Sequence, residues 1–461
     1  MPDNPIIAYC VKCREKREMK NPEAVYTETG RAGTRGACPE CGGTMFRMGK
    51  TPAHEAIARP EPKPRERKGR LVIVESPAKA RTVGRFLGKG YRVKASVGHV
   101  RDLLRSRLSV NVDDDFTPDY RIPNEKRKVV KELREDADQA AEVYLATDPD
   151  REGEAIAWHL MAAADIDEGR TQRVVFHEIT EDAIKEAFAH SRHINMDLVN
   201  AQQTRRILDR LVGYKISPLL WDKVRSRLTA GRVQSVAVRL IVDREREIQD
   251  FEAVEYWSID ALLAKQKAAG QKLAPPFKAH LLRVHGKDAD LKNEADTQAI
   301  VDELKQSAYT VLKVKTGERH RNPAPPYTTS TMQQEASRRL GFSAKQTMGT
   351  AQSLYEGIAL GKGEPVGLIT YMRTDSTNVS KQAQAEARKY IASTYGTEYM
   401  PKKPPFYKTR AKSAQEAHEA IRPTSVFRTP DSVRKFLDRS QYRLYTLIWQ
   451  RFVASQMSPA V

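Results

Sequence analysis

The chain of 461 residues holds 78 Lys and Arg against 59 Asp and Glu, a formal net charge of +19 at pH 7. Such an excess of positive charge indicates a polyanionic partner, and the length allows three or more domains. The sequence argues against a membrane protein, because no apolar run approaches about 18–20 residues and the N-terminus lacks the pattern of a signal peptide. We therefore expect a cytoplasmic protein.

All four cysteines lie near the N-terminus, in two CxxC pairs, Cys10 with Cys13 and Cys38 with Cys41. This spacing predicts a tetrahedral zinc site with four thiolate ligands, and an unmetallated redox pair is the alternative. Four thiolates leave no open position, so the zinc would be structural and would stabilise a ribbon over residues 1–50. Residues 51–69 contain four prolines and a basic cluster, which predicts an exposed, semi-rigid linker.

From residue 70 the apolar pattern changes to one of alternating strands and helices. The expected strands cover residues 71–74, 91–97, 143–147 and 173–177, and the expected helices cover 77–88, 126–141, 153–164 and 180–190. This alternation predicts an open, mostly parallel α/β sheet, whose ligands bind at the carboxyl ends of the strands.

Charged side chains cluster at two of those strand ends. Glu75 follows the first strand, and Asp148, Asp150 and Glu152 follow the strand at 143–147. Lys79 falls in the first turn of the helix after Glu75, where free backbone N–H groups favour an anion. Hard oxygen ligands in this number suit Mg²⁺, and an acidic loop that caps the next helix is the alternative.

The stretches VIVESPAKA and LATDPDREGEAIAWHL resemble the Toprim domain of type IA DNA topoisomerases. The resemblance implies that Glu75 transfers protons and that Glu75, Asp148, Asp150 and Glu152 hold Mg²⁺. It also places His99, in ASVGHVRDL, near the active site. Primases and some nucleases share the Toprim signature, so this part of the sequence leaves the reaction open.

The motif GLITYMRTDST is similar to the nucleophile motif of the same family. Alone, a tyrosine in an apolar strand is usually a core residue, but the resemblance makes Tyr371 the nucleophile, with Arg373 beside it. In EAHEAIRPT, His418 and Arg422 are four apart, which predicts one face of a helix. The resemblance implies that His418 helps to hold the scissile phosphate, while Lys79 and Arg373 offset its charge.

Residues 196–248 read as helices with a basic surface that carries aromatic side chains, a composition suited to single-stranded DNA. A solvated helix face is the alternative. The resemblance assigns to a DNA-binding cleft Arg206, Asp209, Arg210, Tyr214, Arg232 and Gln234, and it adds His99 and Arg422.

Taken together, these patterns predict a multidomain α/β and α+β protein. The expected units are a zinc ribbon at 1–50, the linker at 51–69, a Toprim domain at 70–190, a helical DNA-binding cleft at 191–248, the first part of a β arch at 249–318, a mainly helical tyrosine domain at 319–428 and a return toward the arch at 429–461. Family members continue beyond the position of Val461, so we expect a chain that is truncated at its C-terminus. The N-terminal cysteine module departs from the family pattern.

The resemblance implies relaxation of negatively supercoiled DNA through transient cleavage of one strand, a 5′-phosphotyrosyl intermediate, strand passage and religation. The absence of a Walker loop agrees with an ATP-independent reaction. We expect a monomer that acts on single-stranded segments of DNA in the nucleoid. Alternatives are a topoisomerase III-type decatenase, whose members usually have proline at the position of Met372, and an inactive DNA-binding fragment.

Overall fold

The computed structural model of the protein describes residues 5–27, 31–58, 67–265, 274–361, 365–407 and 419–461. Within these ranges, no helix combines the length and apolarity that crossing a membrane requires. The chain forms an N-terminal ribbon, an α/β unit (residues 70–190), two long helices with a small β region, and a tyrosine unit (residues 321–461).

The N-terminal ribbon consists of two small antiparallel sheets. Its strands are β1 (Ile7–Cys10), β2 (Glu15–Glu18), β3 (Lys20–Tyr26), β4 (Ala32–Ala37) and β5 (Thr44–Met48). A short 3₁₀-helix, Pro52–Ala56, follows and buries His54, whose Nε2 lies 3.0 Å from the carbonyl oxygen of Gly33. The expectation of an exposed linker is therefore wrong at His54, which packs on the ribbon, whereas the described residues after it are exposed.

The α/β unit is built on a four-stranded parallel sheet in the order β13-β12-β6-β7. Its strands are β6 (Arg70–Val74), β7 (Tyr91–Ala95), β12 (Glu142–Leu145) and β13 (Thr171–Arg173), and four short strands lie between β7 and β12, namely β8 (Asp102–Leu103), β9 (Val110–Asn111), β10 (Thr117–Pro118) and β11 (Tyr120–Arg121). The helices are α1 (Pro77–Leu87), α2 (Arg127–Gln139), α3 (Arg151–Ala164) and α4 (Glu181–Ala189). This arrangement confirms the predicted open α/β sheet.

The last strand of that sheet, β13 (Thr171–Arg173), lies earlier in the chain than the expected strand at 173–177 and shares only residue 173 with it. β13 ends at Arg173, whose buried guanidinium donates to the carbonyl oxygens of Leu145, Thr147 and Asp148 and to the carboxylate of Glu154. Because these bonds tie the end of β12 to β13, they fix the backbone from which Asp148 and Asp150 project.

Two long helices, α5 (Met196–Lys223) and α6 (Arg232–Gln249), follow the α/β unit, as the sequence predicts. The β region after them contains β14 (Asp260–Leu263), β15 (Phe277–His280), β16 (Arg283–Val284) and β17 (Lys287–Asp288). The expectation of β structure throughout residues 249–318 is wrong at α7 (Glu294–Gln306). Asn293 directly precedes that helix and is its N-cap, because its side chain accepts from the Asp296 amide.

The tyrosine unit is mainly helical, with α8 (Thr329–Glu335), α9 (Ala344–Glu356), α10 (Lys381–Thr394), α11 (Pro430–Val433) and α12 (Arg439–Ser455), and a small hairpin of β18 (Ile358–Ala359) and β19 (Pro365–Val366). One continuous apolar core joins it to the α/β unit, with Val74 and Val83 on one side and Leu354 and Leu368 on the other. The two units therefore pack directly on each other at the end of the parallel sheet.

The helix predicted around Arg422 does not form in the described residues. The segment 419–424 is extended, and Ile421 and Pro423 make single antiparallel bridges to Tyr327 and Ile369. Pro423 cannot donate a helical hydrogen bond and disfavours helical geometry in Arg422 before it. The predicted helical face shared by His418 and Arg422 is therefore wrong, and His418 itself lies outside the described residues.

Candidate active site

Tyr371 lies at the junction of the two units, with 3 % of its surface exposed. Its hydroxyl donates to Oδ2 of Asp150 at 2.7 Å, and Nη1 of Arg373 lies 3.4 Å from the same oxygen. Burial raises the pKa of Tyr371 well above its usual value, and the charges of Asp148 and Asp150 add to the rise. The tyrosine is therefore a neutral phenol whose proton already points at a carboxylate.

Lys79 forms the second part of the site, fully buried at the start of α1. Its Nζ lies 2.9 Å from both Oε1 of Glu75 and Oδ1 of Asp148. Burial raises the pKa of Glu75 to about 8, against the opposing charge of Lys79. Burial also acts to raise the pKa of Asp148, but the charge of Lys79, hydrogen bonds with Glu75 and Lys79, and the charge of Arg373 together hold that pKa below its usual value. One carboxyl of the pair thus keeps its proton near neutral pH while the other is ionised.

Asp150 is held by the start of α3 as well as by the tyrosine. Its Oδ1 accepts from the Gly153 amide at 2.8 Å, which makes it the N-cap of the helix. A Cβ at position 153 would lie 2.1 Å from the carbonyl oxygen of Asp148. The glycine in DREGE is therefore required for the tight turn that brings both aspartates to the site.

Glu152 belongs to a separate set of contacts on the same helix start. Nε2 of His99 lies 3.3 Å from Oε2 of Glu152, and Gln202 of α5 donates to the same oxygen at 3.2 Å. The hydrogen bond from His99 is the largest influence that lowers the pKa of Glu152. Glu152 consequently joins the α/β unit to the long helices.

A cavity of about 1050 Å³ opens beside these groups, between the α/β unit, α5 and the tyrosine unit. Asp150, Glu152 and Arg373 lie on its wall. Six guanidinium groups also line it, those of Arg101, Arg151, Arg205, Arg206, Arg232 and Arg373. Their density fits the binding of a phosphate backbone.

Comparison with known proteins agrees with this geometry. A family model described as DNA topoisomerase matches residues 193–461, and a Toprim domain model matches residues 70–179. The chain belongs to the DNA topoisomerase family. A third model, of a domain of unknown function, matches residues 9–48 in the ribbon.

Among solved structures, the chain is similar to full-length topoisomerase I from Thermotoga maritima. The two share 42 % identity with a TM-score of 0.71, over 84 % of this chain and 61 % of that one. The chain thus spans about 61 % of the length of that topoisomerase. These matches confirm the predicted family and fold class.

Two of the arginines that are predicted to bind DNA lie on the cavity wall, and each is paired with an aspartate. Arg206 donates to both oxygens of Asp102, at 2.9 and 2.6 Å. Arg232 donates to both oxygens of Asp209, at 2.6 and 3.0 Å. Arg205 is exposed on the same wall, and within the described ranges it has no carboxylate partner. Gln234 lies in the first turn of α6, away from the cavity wall.

Three other predicted DNA contacts are engaged elsewhere. Arg210 is 4 % exposed and donates to the carbonyl oxygens of Leu103, Leu104 and Arg107, and the Tyr214 hydroxyl donates to the carbonyl oxygen of Arg105. These side chains hold the loop that follows β8. Arg422 is 5 % exposed and paired with carboxylates, so its contact with DNA stays a prediction that this buried position of the side chain does not favour.

The sequence patterns did not indicate one cluster on the cavity wall. The guanidinium of Arg101 lies over the rings of Trp158 and Tyr120, at 4.8 and 5.2 Å, and its Nε donates to Nδ1 of His159 at 3.1 Å. Burial lowers the pKa of His159 to about 3, and the charge of Arg101 acts in the same direction. The only available signal was that Arg101 follows His99 by two residues in GHVRDL.

The four cysteines come together as the spacing predicts. All four sulfur atoms lie within 4.8 Å of one another, with Cys10 3.5 Å from Cys41 and Cys13 3.9 Å from Cys38. A ZnS₄ tetrahedron with bonds of about 2.3 Å has S–S edges of about 3.8 Å. Backbone hydrogen bonds from Cys41 and Glu40 lower the pKa of Cys38 to about 6, which favours the thiolate. The donor set therefore fits zinc.

The carboxylates fit Mg²⁺ by chemistry, but each faces a different protein donor. Asp148 contacts Lys79, Asp150 contacts Tyr371 and Glu152 contacts His99. In the described part of the chain, the cysteines are the only group of three or more side chains that come together at metal-ligand spacing. A magnesium ion bound by several of these carboxylates would require rotation of their side chains.

Proposed function

We propose that this chain is the catalytic part of a type IA DNA topoisomerase I, which relaxes negatively supercoiled DNA without ATP. The observation that carries the proposal is the hydrogen bond from the Tyr371 hydroxyl to Asp150. A buried tyrosine from one unit thereby meets the carboxylates and the lysine of another beside an arginine-lined cavity.

In the proposed cleavage step, Asp150 accepts a proton and Glu75 donates one. The Tyr371 oxygen attacks the phosphorus of a single-stranded segment, and its proton passes to Asp150, which already accepts it in a hydrogen bond. The bond from phosphorus to the 3′ oxygen breaks, and Glu75, protonated near neutral pH, gives its proton to that oxygen. The products are a 5′-phosphotyrosyl link and a free 3′-hydroxyl.

Religation is the reverse of these steps. Glu75 takes back the proton of the 3′-hydroxyl, and Asp150 returns one to the tyrosine. Lys79 and Arg373 offset the negative charge that gathers near the phosphate. Because the phosphotyrosyl bond conserves the energy of the phosphodiester, no nucleotide is consumed.

Two metals complete the proposal. Glu75, Asp148, Asp150 and Glu152 would hold Mg²⁺, which supplies positive charge against the phosphate. Cys10, Cys13, Cys38 and Cys41 would hold one structural zinc, a claim that metal analysis well below one equivalent per chain would contradict. The proposed site of action is a single strand of nucleoid DNA in the cavity, bound by a monomer.

The test is relaxation of a negatively supercoiled plasmid by the purified protein with Mg²⁺ and without ATP. Asp148→Ala together with Asp150→Ala should abolish relaxation, because the pair supplies the proton acceptor and two metal ligands. Asp165→Ala, at the far end of α3, serves as the matched control and should relax the plasmid normally. Relaxation at the normal rate by the double variant would overturn the proposal.

A further inference from the structure

The segment that carries the nucleophile is hydrogen-bonded on both sides. On the α/β side, the amides of Gly367 and Tyr371 donate to the carbonyl oxygens of Ile179 and His177 at 2.9 and 2.8 Å. On the tyrosine side, the amide of Thr370 donates to the carbonyl oxygen of Arg422 at 2.9 Å. Residues 367–371 are therefore the layer at which the two units meet.

The side chain of Arg422 crosses that layer. Its Nη2 lies 2.9 Å from Oε2 of Glu178, in the α/β unit, and 2.5 Å from Oε2 of Glu419, in its own unit. The arginine side chain is 6 % exposed and that of Glu178 is 20 % exposed. One buried guanidinium thus serves two carboxylates, one on each side of the interface.

This sharing has a consequence for separation of the units. A buried charge that loses its only partner is strongly destabilising. When the units part, Glu178 would gain water, and Arg422 would keep Glu419 as its counterion. Separation therefore leaves neither charged group buried without water or a counterion. The ion pair across the interface can accordingly break and form again repeatedly.

We infer that Glu178 and Arg422 form a reversible ion pair that holds the nucleophile segment against the α/β unit and opens when the two units separate. Both are positioning residues, because they act on Tyr371 through the backbone of residues 367–371. The inference rests on the proposed function only in taking that separation to be the opening through which a strand passes.

Hydrogen exchange of the free protein, without DNA, tests the inference. In Glu178→Gln, amides of residues 365–373 should exchange at least about tenfold faster, because the closed interface loses a charge-assisted contact. Glu419→Gln removes a carboxylate from the same arginine without crossing the interface, and its amide oxygen can still accept from Ser380. Exchange of residues 365–373 in that control should not become faster, because opening would then leave Arg422 without the carboxylate that it keeps in the parent protein.

Amides of α12, in the core of the tyrosine unit, report whether a variant is folded. If they also exchange faster in Glu178→Gln, Arg422→Lys replaces it, since a lysine keeps the charge but lacks the planar fork that reaches both carboxylates. The inference would be overturned if residues 365–373 exchanged equally fast in the parent protein and in Glu178→Gln, or in Arg422→Lys where that variant replaces it. Equal acceleration in Glu178→Gln and Glu419→Gln would overturn it too.

A DNA readout separates this inference from the proposed function. Glu178→Gln should form less covalent adduct than the parent protein while binding single-stranded DNA with unchanged affinity. If the parent protein forms no adduct, the proposed function fails, but the exchange result still decides whether the ion pair holds the interface.

Discussion

Asp150 links folding and chemistry within a single side chain. One oxygen caps α3 through the Gly153 amide, and the other accepts a hydrogen bond from the Tyr371 hydroxyl, whose proton it would take in the proposed cleavage. The helix start therefore sets the position of the proton acceptor, and a shift of the cap moves the acceptor with it.

His159 should make stability depend on pH. Its pKa is about 3 in the folded chain and about 6.5 when unfolded, so below pH 6.5 only the unfolded state binds the proton. Stability is thus fully present above pH 6.5 and falls as the pH drops toward 3. Relative to His159→Asn, which keeps an acceptor for Arg101, the parent protein should lose about 2 kcal/mol between pH 7.5 and 5.

Urea unfolding at the two pH values measures this difference. His190→Asn, at an exposed histidine, is the control, and its pH profile should run parallel to that of the parent protein. If the free energy of unfolding of His159→Asn changed with pH as it does in the parent protein, protonation of the buried imidazole would not destabilise the fold.

Residue types and spacing locate the candidate site residues along the chain, but they do not give the contacts that these residues make. The carboxylates after β12 and the tyrosine motif could be found because their order along the chain is local. That Asp150 faces Tyr371 could not, because the two are 221 positions apart. The family resemblance places Arg210 in the DNA-binding cleft, whereas in the structure its guanidinium donates to three carbonyl oxygens of a distant loop.

At the scale of one element, the start of α3 should be intolerant of any side chain at position 153. Gly153→Ala places a Cβ against the Asp148 carbonyl oxygen and should cost about 1–3 kcal/mol, with loss of relaxation. Gly349→Ala, within α9, meets no atom within 4 Å and should stabilise the protein by about 0.5–1 kcal/mol. Thermal unfolding of both variants checks the signs, and equal effects would show that the turn has room to move.

Helices and parallel strands of the α/β unit followed from periodicity, because each has a local start signal such as Ser76 before Pro77 in α1. The errors have local causes too. Asn293 caps a helix that the alternating apolar pattern around it concealed, and Pro423 excludes the helix that the spacing of His418 and Arg422 suggested. Pairing with distant segments then decided the extended form of residues 419–424.

At the scale of the whole molecule, the net charge of +19 indicates a polyanionic partner, and the arginines on the cavity wall are where that partner would bind. Affinity for single-stranded DNA should fall with salt, with a log–log slope of about −0.7 per phosphate contacted. Arg205→Ala should reduce the steepness of that slope by about 0.7, because Arg205 lies on the cavity wall and forms no ion pair with a carboxylate of the described residues. Arg210→Ala should leave the slope unchanged and lower stability, since its bonds go to the protein backbone.

Titration of a fluorescent oligonucleotide at several salt concentrations measures both slopes. If the salt dependence of affinity became less steep by the same amount in both variants, Arg210 would contact DNA after all. The comparison is matched, because both substitutions remove one arginine from the same helix.

The arrangement of the units was predictable from sequence only through the family resemblance. Composition and spacing indicated a basic protein, a cysteine site and an α/β sheet. They could not indicate that the tyrosine unit shares one apolar core with that sheet, because contacts such as that of Thr82 with the Glu356 carbonyl oxygen join residues 274 positions apart.

The central claim is that Tyr371 forms a covalent bond to a 5′ phosphate of DNA. The most direct measurement is incubation with single-stranded DNA labelled at one end, stopped with detergent. DNA labelled at its 3′ end should become attached to the protein, and DNA labelled at its 5′ end should be released as a shorter free strand. Tyr371→Phe should form no adduct, while Tyr355→Phe, which removes a hydroxyl from the ring packed against it, should retain the adduct. An adduct in Tyr371→Phe, or attachment of the 5′-labelled piece, would contradict the account.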